Sequence, residues 1–389
     1  MRVTRLRHAA VLVAALAPVV AQLKSGAPEA VGMSSSKLDR SAALLESAVR
    51  EGHAGAASIL VARGGTVVLH KGFGRLWAQT GSATAAPDSI YLVASITKPV
   101  TATALMLLVE RGLVSLHDPV RTYLPEFTGG DRDKVRVRDL LAHTSGLPDM
   151  LPENTDLRRA HAPLSEFVKR TCSTPLLFAP GTSYQYQSMG ILLAAEIVER
   201  ITRMPLREFE QKELFGPLGM RSTVLGLGKL KINETVETWT DPQADPKDTE
   251  SWGWTSPYWR DIGAPWGGMH TNTSDLAILL QTFLDRGSYA GKRVLSPATV
   301  RAMTSDQNAG LNASWGLGWA LGRAVPYNAF GDLVSPRTFG HNGATGTVAW
   351  ADPETQLLCV ILTNRAWSID EGRLLRLVSN AVAASAIYK

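Results

Sequence analysis

Strand-forming runs stand at both ends of this chain and are missing from its middle, a distribution that few folds accommodate. Near the start, Ala57–Ala62 and Thr66–His70 are apolar or β-branched runs joined by Arg63-Gly64-Gly65, a hairpin signal. Near the end, strand character returns over Phe339–Trp350 and Leu357–Leu362, with a turn at Asp352-Pro353. Between about Leu116 and Pro265 helices, prolines and loops take over. Amphipathic or apolar helical patterns cover Ser35–Val49, with serines as caps and Gly52 as the stop, Val100–Glu110, stopped by Gly112, and Gly372–Ala386. Segments remote in sequence must therefore share one sheet, and a helical unit must be inserted into it. The expected division is 30–115 and 266–389 as a sheet-containing α/β unit, with 116–265 as a mainly helical insertion. Clefts form at such junctions.

At 389 residues the chain is longer than one ordinary core, and its 45% hydrophobic and 19% charged composition is that of a globular protein without repeats. The formal charge of +5 includes Arg2, Arg5 and Arg7, and the other basic residues form no dense cluster, so nucleic-acid binding is not expected. Residues 1–21 have the form of a secretory signal: arginines, then an apolar run from Ala9 to Ala21, with Val19 and Ala21 suited to a cleavage site. An uncleaved amphipathic start is the alternative. That run is short for a bilayer span and no longer one follows, so a secreted or periplasmic protein without stable membrane insertion after signal removal is expected.

The only cysteines are Cys172 and Cys359. Cys359 lies in an expected core strand, where a thiol behaves as a small hydrophobe, and two unpaired structural cysteines are expected. There is no Cys-x-x-Cys and no His-Glu-x-x-His, so no metal or other cofactor is expected.

Ser95-Ile-Thr-Lys98 carries the chemistry. Residues three apart on a helix share a face, which sets an amine beside a hydroxyl, and a helix N-terminus favours a developing alkoxide. Pro99 is tolerated only in the first turn. Four further segments matter: Leu140–Pro148, with the turn at Gly146; Pro180–Ser188, leading into a helix; Leu214–Met220; and Phe339–Gly346, opening a strand. No Gly-x-Ser-x-Gly occurs, so an α/β-hydrolase nucleophile elbow is not available.

With these motifs in this order, the chain resembles the penicillin-recognising serine hydrolases, in the branch of class C β-lactamases, serine D-Ala-D-Ala peptidases and family VIII esterases, over roughly residues 30–385. The resemblance implies an α/β (α+β), β-lactamase/transpeptidase-like fold: an antiparallel sheet flanked by helices, plus the helical insertion. It matches Ser95 and Lys98 to the first motif, Tyr186-Gln187-Ser188 to the second and His341-Asn342-Gly343 to the third. It implies a serine hydrolase that forms an acyl-enzyme on Ser95, with Lys98, Tyr186 and His341 as its catalytic partners and the amides of Ser95 and Ala344 as the oxyanion hole. Ser188, Asn342, Gly343 and Trp266 are expected to meet substrate.

A hydroxyl is a poor nucleophile until a base takes its proton, and a lysine of ordinary pKa ~10.4 is charged at neutrality. Burial, and positive charge on His341, would lower it. Lys98 and Tyr186 both remain possible bases, coupled in titration. His143 and Ser145 look like a second catalytic pair but fit a structural turn. Trp252, Trp254, Tyr258, Trp259 and Trp266 either line an apolar pocket or pack a loop.

Two departures bear on substrate. Ser188 stands where the family carries asparagine, and His341 where it usually carries lysine. Both weigh against an efficient β-lactamase and suit carboxylic esters or D-amino-acid peptides. A class C-like β-lactamase, a transesterase and a non-catalytic module binding cell-wall peptides are the alternatives.

Overall fold

The first hairpin and the last strand of the chain pair side by side, and this closes the structure into one sheet. The computed structural model describes residues 22–240, 244–311, 313–322 and 329–387; the expected signal segment 1–21 lies outside them. The sheet contains β1 (Lys24–Ser25), β2 (Ala56–Arg63), β3 (Thr66–Gly74), β4 (Ala320–Leu321), β5 (Phe339–Gly343), β6 (Thr347–Asp352) and β7 (Leu357–Thr363). Their order in space is β1-β3-β2-β7-β6-β5-β4. Gly64 and Gly65 turn the first hairpin with φ of 55° and 79°, a conformation that suits glycine. Leu60 of β2 then faces Val360 of β7.

Two expectations are corrected here. The sheet is antiparallel except at its edge, where β1 runs parallel to β3. The single strand expected over Phe339–Trp350 is two, β5 and β6, because Gly346 at φ 83° allows a tight turn through Ala344-Thr345-Gly346.

Side-chain alternation along β2 and β7 divides the core. Ile59, Val61, Cys359 and Ile361 face α1 (Ser35–Arg50), which presents Leu38, Ala42 and Leu45 at helical spacing. Ser34 stands at the N-cap of α1, but its hydroxyl makes no capping bond, contrary to the expected serine cap. Leu60, Leu358, Val360 and Leu362 face the opposite side and join an apolar core that runs on into the segment 116–265. At its centre lies α2 (Thr97–Glu110), in which every residue from Thr97 to Leu108 is buried. Against it packs α3 (Met189–Thr202), whose Met189, Leu192 and Leu193 belong to the same core.

A second, small sheet ties three remote segments together: Tyr91–Leu92 and Val224–Leu225 both pair with Met269–Thr271. It ends one residue before the turn that carries Ser95. Cys172 and Cys359 are buried and unpaired. Among the described residues no helix is long and apolar enough to cross a membrane.

Candidate active site

Ser95 lies in a single 3-10 turn, Ala94–Ile96, and α2 begins only at Thr97. The serine therefore precedes the α-helix instead of opening it. Ala94 has φ 45°, a left-handed conformation that disfavours a residue with a Cβ by about 1 kcal/mol or more. Neighbouring groups hold the turn in place. The Thr97 hydroxyl donates to the Ala94 carbonyl at 2.6 Å, and the Val93 amide donates to Met269 at 3.0 Å. Thr345 in the β5–β6 turn donates to Leu92 at 2.7 Å, and Thr347 at the start of β6 donates to Val93 at 3.0 Å.

That fastening explains Gly343. A Cβ there would lie 2.2 Å from the Val93 carbonyl oxygen, so only glycine lets β5 approach the Ser95 turn. Gly343 was expected to bind substrate; the direction in which a Cβ would point there is filled by the Val93 carbonyl and the Thr347 hydroxyl. Ala344, next along, is exposed in the turn, and the Trp367 amide donates to its carbonyl at 2.8 Å.

Lys98 reaches Ser95 as the spacing predicts, with Nζ 2.9 Å from Oγ. The amine also donates to the Trp266 carbonyl at 3.0 Å and lies 4.7 Å from the centre of the Tyr186 ring. It is wholly buried, and burial presses its pKa down to about 7, while Asp149 pulls the other way. The lowering was expected to draw on positive charge at His341. His341 carries none at neutral pH: burial first, then the Lys98 charge, press its pKa to about 3.

The His341 ring lies 6.0 Å from that of Tyr186 and 5.6 Å from that of Trp315. Its Nδ1 is 2.7 Å from the Asn342 carbonyl, which can only accept, so the proton sits on Nδ1. Nε2 is left as a buried acceptor with no hydrogen-bond partner among the described residues. Asn342 itself is buried.

Ser188 and Trp266 are placed differently from expectation. The Ser188 hydroxyl donates to Asp149 at 2.6 Å and is buried, so it is engaged within the protein. The Trp266 ring packs in the core against Phe167 and Trp259, and only its carbonyl reaches the site. Trp259, on the short helix Pro257–Ile262, is buried as well, so this part of the aromatic cluster packs the core and does not line the site. Sequence reasoning missed Asp149 and Trp315. Each is a lone residue in a loop, with no periodicity to mark it; Asp149 is the anionic neighbour of Lys98, and Trp315 is wholly buried against Tyr186 and His341.

A serine activated by a buried amine from the next helical turn, with a phenol and an imidazole from two remote segments, defines a serine hydrolase site. The beta-lactamase family pattern matches residues 42–383, and the chain belongs to that family. It is 30% identical to a protein of Salmonella agona (strain SL483) provisionally named a D-alanyl-D-alanine carboxypeptidase, over 89% of this chain and 87% of that one. Its fold is similar to that of a penicillin-binding protein homologue from Caulobacter crescentus, with TM-score 0.75, 24% identity, and 91% and 99% of the two chains covered. It is also similar to that of EstCE1, a hydrolase with promiscuous acyltransferase activity, with TM-score 0.74, 22% identity, and 90% and 99% covered.

Proposed function

We propose that Ser95 is the nucleophile of an acyl-enzyme mechanism and that Lys98 is the base that activates it. The contact of 2.9 Å between Lys98 Nζ and Ser95 Oγ, made by an amine whose pKa is about 7, carries this assignment. A neutral amine can keep one N–H on the Trp266 carbonyl and accept the serine proton with its lone pair. As Oγ attacks the substrate carbonyl, that proton moves to Nζ. Tyr186, beside the amine, gives its phenolic proton to the leaving group and recovers one from Nζ; in deacylation water loses a proton to the neutral amine as it attacks the acyl carbonyl, and that proton returns to Ser95 Oγ as the acid leaves. The amides of Ser95 and Ala344 receive the oxyanion; losing one such donor typically costs ~10²-fold or more in rate.

Carboxylic esters are the substrate class this site fits best. His341 is neutral and offers an acceptor, not a cation, so the third motif supplies no anchor for a substrate carboxylate. D-amino-acid peptides form the second reading, favoured by the name of the Salmonella agona relative. The same proposal puts the cleft at the junction between 30–115 with 266–389 and the insertion 116–265. It also takes residues 1–21 as a secretory signal, tested by N-terminal sequencing of the exported protein.

Mass spectrometry after fluorophosphonate treatment tests the nucleophile: an adduct on Ser95 is expected, and none in Ser95→Ala. A p-nitrophenyl ester, a D-Ala-D-Ala peptide and a chromogenic cephalosporin then rank the substrates. Faster turnover of the cephalosporin than of the ester would overturn the ester preference.

A further inference from the structure

The loop carrying Tyr186 is held from behind by a residue to which the mechanism assigns no part. His143 is wholly buried and has φ 60°, a strained conformation for a residue with a Cβ. Its carbonyl accepts from the Gln185 amide at 3.0 Å, and its Nδ1 accepts from the Gln187 amide at 3.2 Å. Both neighbours of Tyr186 are thus bonded to this one histidine. The imidazole also packs on the phenol ring, with centroids 4.7 Å apart, and on Trp315 at 4.8 Å.

Because Nδ1 accepts, the proton of the neutral ring sits on Nε2, which has no hydrogen-bond partner among the described residues; the imidazole ring as a whole meets those of Tyr184 and Trp315 in T-shaped contacts. Protonating Nδ1 would break the bond to Gln187, and burial holds the pKa well below the ordinary imidazole range. Ser145 is not a nucleophile for this histidine. Its hydroxyl donates to Gln187 Oε1 at 2.6 Å, and Gln187 Nε2 donates to the Asp139 carbonyl at 3.0 Å, which fastens the same loop again.

We propose that His143 is the positioning residue of Tyr186, holding both flanking amides and one face of the ring so that the phenol meets the leaving group. This rests on the role given to Tyr186 above. A leaving group as good as nitrophenolate departs with little help, whereas an alkoxide needs a proton in the transition state. Misplacing Tyr186 must therefore penalise the alkyl ester selectively, which a loss of general structural integrity would not do.

The test compares hydrolysis of p-nitrophenyl butyrate and ethyl butyrate by the wild type, His143→Leu, His143→Asn, Tyr186→Phe and the double variant His143→Leu/Tyr186→Phe. His143→Leu is expected to lose about 10²-fold on the ethyl ester, as general-acid contributions do, and far less on the nitrophenyl ester. Asparagine tolerates a left-handed backbone and keeps an acceptor for Gln187, so His143→Asn is expected to recover part of that loss. It carries the comparison alone if the leucine variant fails to fold, with a loss still larger on the ethyl ester. Adding His143→Leu to Tyr186→Phe is expected to cost nothing further. Equal losses on the two esters, or losses that multiply in the double variant, overturn the proposal. Selectivity in Tyr186→Phe without selectivity at His143 refutes the His143 assignment alone. A Tyr186→Phe enzyme indifferent to leaving group refutes the role of Tyr186 and this inference with it.

Discussion

Replacing Lys98 with methionine should abolish activity and, at neutral pH, make the protein more stable. The amine titrates near 7 in the folded chain and near 10.5 in an ordinary setting, so the unfolded chain binds more protons anywhere between those values. At about 1.4 kcal/mol per pH unit, the buried amine costs the fold about 5 kcal/mol below pH 7, about 4 at pH 7 and about 1 at pH 10. Stability of the wild type therefore rises with pH across this window as the penalty fades. Methionine has a similar unbranched length and no charge to desolvate. It leaves the buried Trp266 carbonyl without its partner, which costs about 1–3 kcal/mol at any pH. The variant should thus be about 2 kcal/mol more stable than the wild type at pH 7 and no more stable at pH 10. Urea unfolding of both proteins at the two pH values, followed by tryptophan fluorescence, reads this difference directly. Taking the variant minus the wild type cancels the titrating groups that do not interact with Lys98. A difference that does not change with pH would mean that Lys98 stays charged in the folded protein, and the reasoning about the base would fail with it.

Further outcomes follow from the same geometry. The rate of ester hydrolysis at low substrate concentration should rise with pH through about 7 as Lys98 loses its proton, which a kcat/KM profile checks. Asp149→Asn removes the charge that raises the Lys98 pKa, so this rise should move to lower pH; an unmoved profile would show that Asp149 does not act on the amine. Gly343→Ala sets a Cβ 2.2 Å from the Val93 oxygen, so β5 must withdraw from the Ser95 turn. Stability should drop by about 1–3 kcal/mol and acylation by fluorophosphonate should slow, measured by urea unfolding and by labelling rate.

Local chemistry made much of this protein legible. Gly64-Gly65 marks a hairpin because a tight turn needs left-handed backbone, and the alternation in β2 and β7 follows from the two-residue period of a strand. The contact between Ser95 and Lys98 follows from helical spacing, since both ends of it lie on one stretch of chain. The division of Phe339–Trp350 into two strands was harder to see, because an apolar run does not show where a turn interrupts it. Besides its positive φ, glycine at that turn is required by close contact with Arg365, whose carbonyl lies 1.9 Å from a Cβ built at Gly346, and that contact is invisible along the chain.

The strand-rich ends, the helical middle and each motif could be read along the chain, because each is a property of residues close together in sequence. Tertiary structure alone decided the electrostatics: that Lys98 is wholly buried, that Asp149 and not a charged His341 is its counterpart, and that Ser188 is engaged by Asp149. It also decided that His143 holds the amides on either side of Tyr186. The reason is that the pKa of a group depends on how much water and charge surround it, and those surroundings come from segments remote along the chain, from about forty residues (Ser188 and Asp149) to well over a hundred (Lys98 and Trp266), that meet only in the folded protein.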